Sequence, residues 1–545
     1  FYPCYRKIDS IFTMRKHNFI LSFITAMTIL AAVEAKGAEL SWEGEKNVVP
    51  RLVVNILVDQ LRSDYLEAFS PLYGEDGLQR LMRQGRLYEQ AEYPLARPDR
   101  ASAAATLATG TTAADHGIVS WRWLNRETLR PMLCVEDRQV KGLGTVEQFS
   151  PRWLNVSTIG DELKVATRGK AQVVSIAPEA DVAILSAGHA ADQVVWMDNN
   201  TGNWVSSSYY GHFPAWADHR NTYYNIDLRL QNESWQPAND RVGKFSYFVT
   251  GDARKPFAHR FKGSNRFTEF KTSALVNDEV AAMTSAALIG THLGADATTD
   301  YLSVALYAGT YKNRPVSEGT LELQDTYARL DRAVAEIIRA AEAKAGAGRV
   351  LFTLTSTGYT EEETADLSKY RIPTGTFDMR RTVSLLGMYL VAVYGQGNYI
   401  EATYGTEIYF NHRLLENRQI NVSEFQARVQ DFLIQLAGVK DVYTAHRLMQ
   451  GAWTPGISRI RGGFNQQRSG DVTIQVMPGW RYVNADTQES KMMREAYVAF
   501  PIILYGTGVK PELITTPVTV DCIAPTLSKA LRIRAPNACT RAPLL

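Results

Sequence analysis

Leu52-Val53-Val54-Asn55-Ile56-Leu57-Val58-Asp59-Gln60 is the stretch whose reading decides the fold. It is a nearly unbroken, largely β-branched apolar run that ends on a carboxylate. Such a run reads as a strand buried on both faces, the kind that helices cover in a parallel sheet. Comparable runs follow at 172–176, 302–306, 350–355, 388–393 and 500–504, each expected to be a strand. Helical patterns lie between several of them. In 325–345, Leu330, Val334, Ile337, Ile338 and Ala341 fall on one helix face, and Gly346 and Gly348 then end the element. Strands alternating with amphipathic helices predict an α/β fold: a mostly parallel central sheet in a three-layer α/β/α sandwich.

Two stretches break that rhythm. Residues 200–275 are rich in aromatics, Asn and Asp and carry little periodicity, so they read as a loop-rich insertion in a core spanning 48–396. The aromatics there and just before (Trp196, Trp204, Tyr209, Tyr210, Trp216, Tyr223, Tyr224 and Trp235) form either a carbohydrate- or protein-binding surface or a packed interior. Residues 397–480 contain a strand at 408–410, a helix at 422–436 and strands near Val442 and Val472, which predicts a small α+β cap. Residues 481–545 return to the core. The chain shows no internal repeat and no low-complexity tract.

The N-terminal part reads as a leader. Met14 is followed by Arg15 and Lys16, an apolar run over 19–33, and small residues ending at Ala35, the pattern of a signal peptide cleaved near Ala35. Residues 1–13 read as an upstream extension. The apolar run is interrupted by Ser22, Thr25 and Thr28 and is short for a membrane span, so none is expected after cleavage. No Cys follows the cleavage site, which argues against a lipoprotein. A periplasmic or secreted protein is expected. Removing residues 1–35 takes away Arg6, Lys7, Arg15 and Lys16 together with Asp9 and Glu34, so the 59 basic and 57 acidic residues become 55 of each. A balanced charge gives no electrostatic case for nucleic acid or anionic membrane as a partner. Cys134, Cys522 and Cys539 remain, and in an oxidising compartment Cys522 with Cys539 is the expected disulfide.

A set of motifs in one order carries a resemblance. After Leu57-Val58-Asp59-Gln60 come Asp99-Arg100-Ala101-Ser102, Ala108-Thr109-Gly110 and His116-Gly117-Ile118-Val119. Ala187-Gly188-His189, Asp325-Thr326-Tyr327-Ala328-Arg329-Leu330-Asp331 and Leu504-Tyr505-Gly506-Thr507-Gly508 follow. From about residue 50 to the C-terminus the chain resembles the alkaline phosphatase superfamily, in particular its PafA-type phosphatases and type I phosphodiesterases.

The resemblance implies an alkaline-phosphatase-like core and two zinc ions that polarise a phosphoryl group while a Ser or Thr attacks phosphorus. Placed on this chain, the first metal-binding Asp of the family is Asp59; a strand-end cap or a pairing with a neighbouring Arg is the alternative role for that carboxylate. The nucleophile position falls on Arg100, next to Asp99. A guanidinium stays protonated and offers no lone pair for attack. Ser102 is the nearest hydroxyl, reached only by a two-residue slip. The remaining ligand positions fall on Tyr307, Tyr311, Thr357, Gly358 and Ala499, none of them a metal-ligand type. The nine His, at 17, 116, 189, 212, 219, 259, 292, 412 and 446, miss all three windows that should supply imidazoles.

The Lys and Arg that hold phosphate in PafA-like enzymes correspond to Glu179 and Asp181, and the Asn expected nearby to Trp121. Glu361, Glu362, Glu363 and Asp366 read as a solvated helix start more readily than as a cation site. His116 and His189 read as hydrogen-bonded core residues. Without zinc, Asp59 would be a buried unpaired charge, so Arg100 is expected to pair with Asp59 or Asp99. The expectation is therefore a catalytically degenerate member: no metal or other cofactor, and a binding or scaffold role with envelope protein partners. The alternative is a phosphoric or sulfuric ester hydrolase with a rebuilt, metal-dependent site, for which zinc would be the cofactor.

Overall fold

A computed structural model describes residues 48–244, 257–361, 374–451, 455–485, 487–494 and 498–545. The expected leader at 14–35 and the acidic residues Glu362, Glu363 and Asp366 lie outside them.

The apolar run forms strand Leu52–Asp59, every residue but the last buried. It lies at the centre of a large sheet, paired in parallel with Val350–Ser356 on one side and Asp300–Tyr307 on the other. Val173–Ala177 and then Gln193–Met197 continue the parallel array. Beyond Val350–Ser356 the sheet turns antiparallel through Phe500–Gly506, which pairs with Arg86–Glu92. The fold is thus α/β with a central, mostly parallel sheet. Apolar clusters cover both faces. The carboxyl ends of the parallel strands, where such sheets bind ligands, carry Asp59, Tyr307, Thr357 and the Glu179 loop.

The helices form for legible reasons. Helix Thr320–Ala345 buries Leu330, Val334, Ile337, Ile338 and Ala341 against the sheet and ends at Gly346. Helix Arg100–Thr109 is Ala-rich and almost wholly buried, which its small side chains permit, and Asp99 with Ser102 forms a capping box at its start. Gly110 ends it at φ +67°, and a Cβ there would stand 3.0 Å from the Cys539 sulfur and 3.1 Å from the Asp521 carbonyl. Both conformation and space demand glycine.

Residues 388–393 are not a strand. They form the second half of helix Met379–Tyr394, capped by Asp378, whose carboxylate accepts from the Arg381 N–H. Leu390 is buried while Met388 and Val393 face outward, the pattern of a helix with one covered face. This helix packs in a third apolar cluster with Val422–Leu433 and a four-stranded sheet of Ile400–Tyr404, Glu407–Phe410, Val472–Val476 and Val439–Thr444.

The aromatics of the insertion are mostly interior. Trp196, Trp204 and Trp235 are fully buried, and Trp235 donates to Asp325 at 2.6 Å; Tyr209, Tyr223 and Tyr224 are exposed. The expected Cys522–Cys539 disulfide is absent: Cys134, Cys522 and Cys539 are all free. Cys522 sits in a 3-10 turn leading into helix Ile523–Leu531, whereas the Cys539 sulfur packs beneath Gly110. No helix among the described residues is long and apolar enough to cross a membrane.

Candidate functional site

The strand ends and the start of helix Arg100–Thr109 bring Asp59, Arg100, Glu179, Asp181, Tyr307 and Thr357 around neighbouring cavities. The Arg100 Nε–H donates to both oxygens of Asp181, at 3.0 and 2.9 Å, and a terminal nitrogen lies 3.8 Å from Glu179. The expected pairing with Asp59 or Asp99 is therefore corrected. Asp99 is occupied elsewhere: one oxygen accepts from the Ser102 N–H and hydroxyl, the other from the Ser120 hydroxyl and the Trp121 N–H at 2.6 Å each. Arg100 opens its helix with its side chain turned toward the Glu179 loop, so Asp181 is the acid it reaches.

The Arg100 guanidinium is thus enclosed by two acids, Asp181 and Glu179. Glu179 also faces the Lys271 ammonium at 3.4 Å, and Lys271 is almost fully buried. Burial raises the Glu179 carboxyl, but Lys271 and Arg100 outweigh it and hold the group below its ordinary range. Burial dominates for Asp181 and holds it above, against the pull of Arg100. Trp121 lies over the guanidinium, 5.8 Å from the ring centroid.

Asp59 faces a cavity of about 60 Å³, room for a few water molecules. Burial pushes its carboxyl up to about 7, against the opposing Arg100 charge and the hydrogen bonds of Thr357 and Tyr359. Thr357 donates to Asp59 at 2.9 Å and accepts from the Gln60 N–H at 2.9 Å. Tyr307 donates to the Thr310 carbonyl, and Tyr311 packs edge-on to Trp235. The Ala499 carbonyl accepts from the Ser63 N–H. Gly358 sits at φ +70°, and a Cβ there would strike Tyr93 at 2.4 Å, so both conformation and space call for glycine. Ser102 is locked in its capping box, so its hydroxyl is not free to attack. Among the described residues no group of three or more His, Cys, Asp or Glu could hold a metal ion.

His116 is fully buried between the Ile118 N–H and the Thr106 hydroxyl, and burial drives its imidazole down to about 3. His189 lies between Asp161 and the Leu154 carbonyl. The motif acids are structural as well: Asp331 accepts from the Gly74 and Leu78 N–H groups, 2.7 Å each.

Sequence reasoning missed Lys271 and Tyr359. Lys271 lies in an aperiodic insertion without a motif, and Tyr359 in a loop beyond the last motif strand. Nothing local marks either.

The family model for type I phosphodiesterase / nucleotide pyrophosphatase matches residues 53–497. Alkaline phosphatase PafA of Elizabethkingia meningoseptica is 28% identical over 91% of this chain and 95% of its own length. Alkaline phosphatase PhoV of Synechococcus elongatus is 27% identical over 90% and 91%. The crystal structure of wild-type alkaline phosphatase PafA superposes with a TM-score of 0.79 at 25% identity, covering 91% of this chain and 98% of that one.

Proposed function

The chain belongs to the type I phosphodiesterase / nucleotide pyrophosphatase family, PafA-like within the alkaline phosphatase superfamily, and from there we propose that it is a pseudophosphatase that acts by binding. The observation that carries this reading is the Arg100–Asp181 pair; by the resemblance, Arg100 stands at the nucleophile position and Asp181 at one that would grip phosphate. A phosphate dianion brought there would meet Glu179 and Asp181.

The zinc ions of the resemblance do not fit this donor set. Asp59 is the one ligand-type side chain at its matching position, with Tyr307, Tyr311, Thr357, Gly358 and Ala499 at the others. Binding as a scaffold or subunit with envelope protein partners, exported by a leader cleaved near Ala35, is the role that agrees with the sequence reading. The balanced charge gives no reason to add nucleic acid.

One observation favours a second reading, a metal-dependent phosphoric or sulfuric ester hydrolase with a rebuilt site. A cavity-facing carboxyl near neutrality, Asp59, is the kind of group that serves as general acid or base. Metal analysis of mature protein after incubation with excess Zn²⁺ and desalting, with assays on p-nitrophenyl phosphate, bis-p-nitrophenyl phosphate and p-nitrophenyl sulfate, separates the two. The expected result is well under about 0.1 zinc per chain and no turnover above buffer, whereas about two zincs with turnover would overturn the proposal.

A further inference from the structure

A second cavity lies beyond Trp121, between the sheet core and the cap, with a volume of about 320 Å³ that is ample for a small ligand. Its floor is one row of side chains across the cap sheet. Tyr404 pairs with Glu407, Glu407 with Thr473, and Thr473 with Tyr443, each directly opposite its neighbour. Cross-strand partners share a face, and Gln475, two residues on from Thr473, joins the same face. The intervening Ile408, Val442, Val472 and Ile474 are fully buried in the cap's own core. The sheet therefore has one dry face and one face of phenols, hydroxyls and an amide, with Tyr443 donating to Gln475 at 3.2 Å.

The core supplies the opposite wall. Trp121 is 42% exposed and borders both this cleft and the Arg100 cavity. Arg122 lies close enough to Tyr404, and Arg97 to Tyr443, to act on the phenols through their charge. Lys491 reaches over the Tyr482 ring, 5.8 Å from its centroid. Two acids oppose these three cations. Burial holds the Glu407 carboxyl above its ordinary range while the Tyr409 hydroxyl donates to it, and Glu489 is exposed. The balance favours an anion.

We propose that this cleft binds an acidic saccharide: a hydroxyl-rich ring lying on the Tyr404–Tyr443 row and against Trp121, its carboxylate or sulfate held by Arg97, Arg122 and Lys491. Phenol and indole rings give flat apolar faces with polar edges, suited to a ring that is apolar on its faces and hydroxylated at its rim. Thr473, Gln475 and Glu407 supply the hydrogen bonds that such a rim needs. The site is separate from the Asp59–Arg100 cavity, so the inference stands whether or not that cavity is catalytic.

Calorimetric titration of the full protein with tetragalacturonate tests it, with cellotetraose as neutral comparison and AMP as nucleotide comparison. Saturable binding of tetragalacturonate is expected, weakened about tenfold in Tyr443→Ala and in Lys491→Ala, and at least about tenfold weaker for cellotetraose. Lys491 is exposed, so its substitution leaves the fold intact even if Tyr443→Ala does not. The proposal is overturned by an absence of saturable binding, by equal binding of cellotetraose, by tighter binding of AMP, or by unchanged affinity in Lys491→Ala.

Discussion

Arg100 and Asp181 meet through a guanidinium Nε–H shared by two carboxylate oxygens, with the acid nearly buried and the base mostly so. Removing one partner of such a pair strands the other, and the cost is that of an uncompensated charge in a poorly solvated place. Arg100→Met is therefore expected to destabilise the protein by about 2–4 kcal/mol, and Asp181→Asn added to it should recover a good part of that loss. Denaturant titration of the two single variants and the double variant measures the coupling. Additive losses would mean that the pair is incidental.

Asp59 obeys a different rule. Its carboxyl is raised from 3.8 to about 7 in the fold, so the folded state binds the proton more tightly than the unfolded chain. That contribution is fully present below pH 3.8 and is lost as pH rises through about 7. Asp59→Asn, which cannot ionise, should remove this decline and gain on the order of 2–4 kcal/mol over wild type at pH 8.5 relative to pH 4. Equal pH slopes for the two proteins would refute the assignment. The position of Asp59 was legible in the sequence because an apolar strand ending in Asp is a local pattern. The partner of Arg100 was not, because Asp181 lies 81 residues away and only the packed strand ends choose it over Asp59 and Asp99.

At the scale of elements, Asp99 does more than cap a helix. One oxygen caps Arg100–Thr109 through the Ser102 N–H, and the other fixes the Ser120–Trp121 turn that separates the two cavities. Asp99→Ala should therefore cost more than the roughly 1 kcal/mol of an ordinary cap, about 2–3 kcal/mol, because the turn's donors lose their acceptor too. It should also change the quenching of Trp121 fluorescence. A loss of about 1 kcal/mol with unchanged fluorescence would confine Asp99 to capping. The strands of the core were readable because their apolar runs are short, β-branched and bounded. The run at 388–393 looked the same in isolation, and a six-residue apolar stretch cannot reveal its period. What made it helical lay outside it: the Asp378 cap, the Gly395 stop at φ +84°, and Leu386 and Leu390 four residues apart on the buried face.

Arg468, like Arg126 and Asn465, is one of the side chains that join the cap to the core. Its guanidinium reaches from the loop before strand Val472–Val476 to the Trp153 carbonyl at 2.6 Å and the Asn155 side-chain oxygen at 2.8 Å. It also lies over the rings of Trp123 and Trp153, 5.1 and 5.6 Å from their centroids. Burial lowers its pKa to about 10, so the ion is held by neutral oxygens and ring faces. Room for it comes from Gly117 in the His-Gly-Ile-Val motif, at φ +82°, where a Cβ would stand 2.3 Å from an Arg468 nitrogen. The motif glycine that the sequence placed in the core thus serves the cap, a link that spacing alone could not show. If Arg468 holds the two together, Arg468→Ala and Gly117→Ala act on the same contact from opposite sides. Arg468→Ala should cost about 2–4 kcal/mol, and Gly117→Ala should cost a comparable amount through positive-φ strain and displacement of the guanidinium. In both variants, hydrogen exchange should rise in 119–123 and 465–475, and the double variant should be worse than Arg468→Ala only by the positive-φ strain at 117, since the contact itself can be lost only once. Fully additive losses, or exchange that rises only around Gly117, would show that Arg468 and Gly117 do not act on one shared contact.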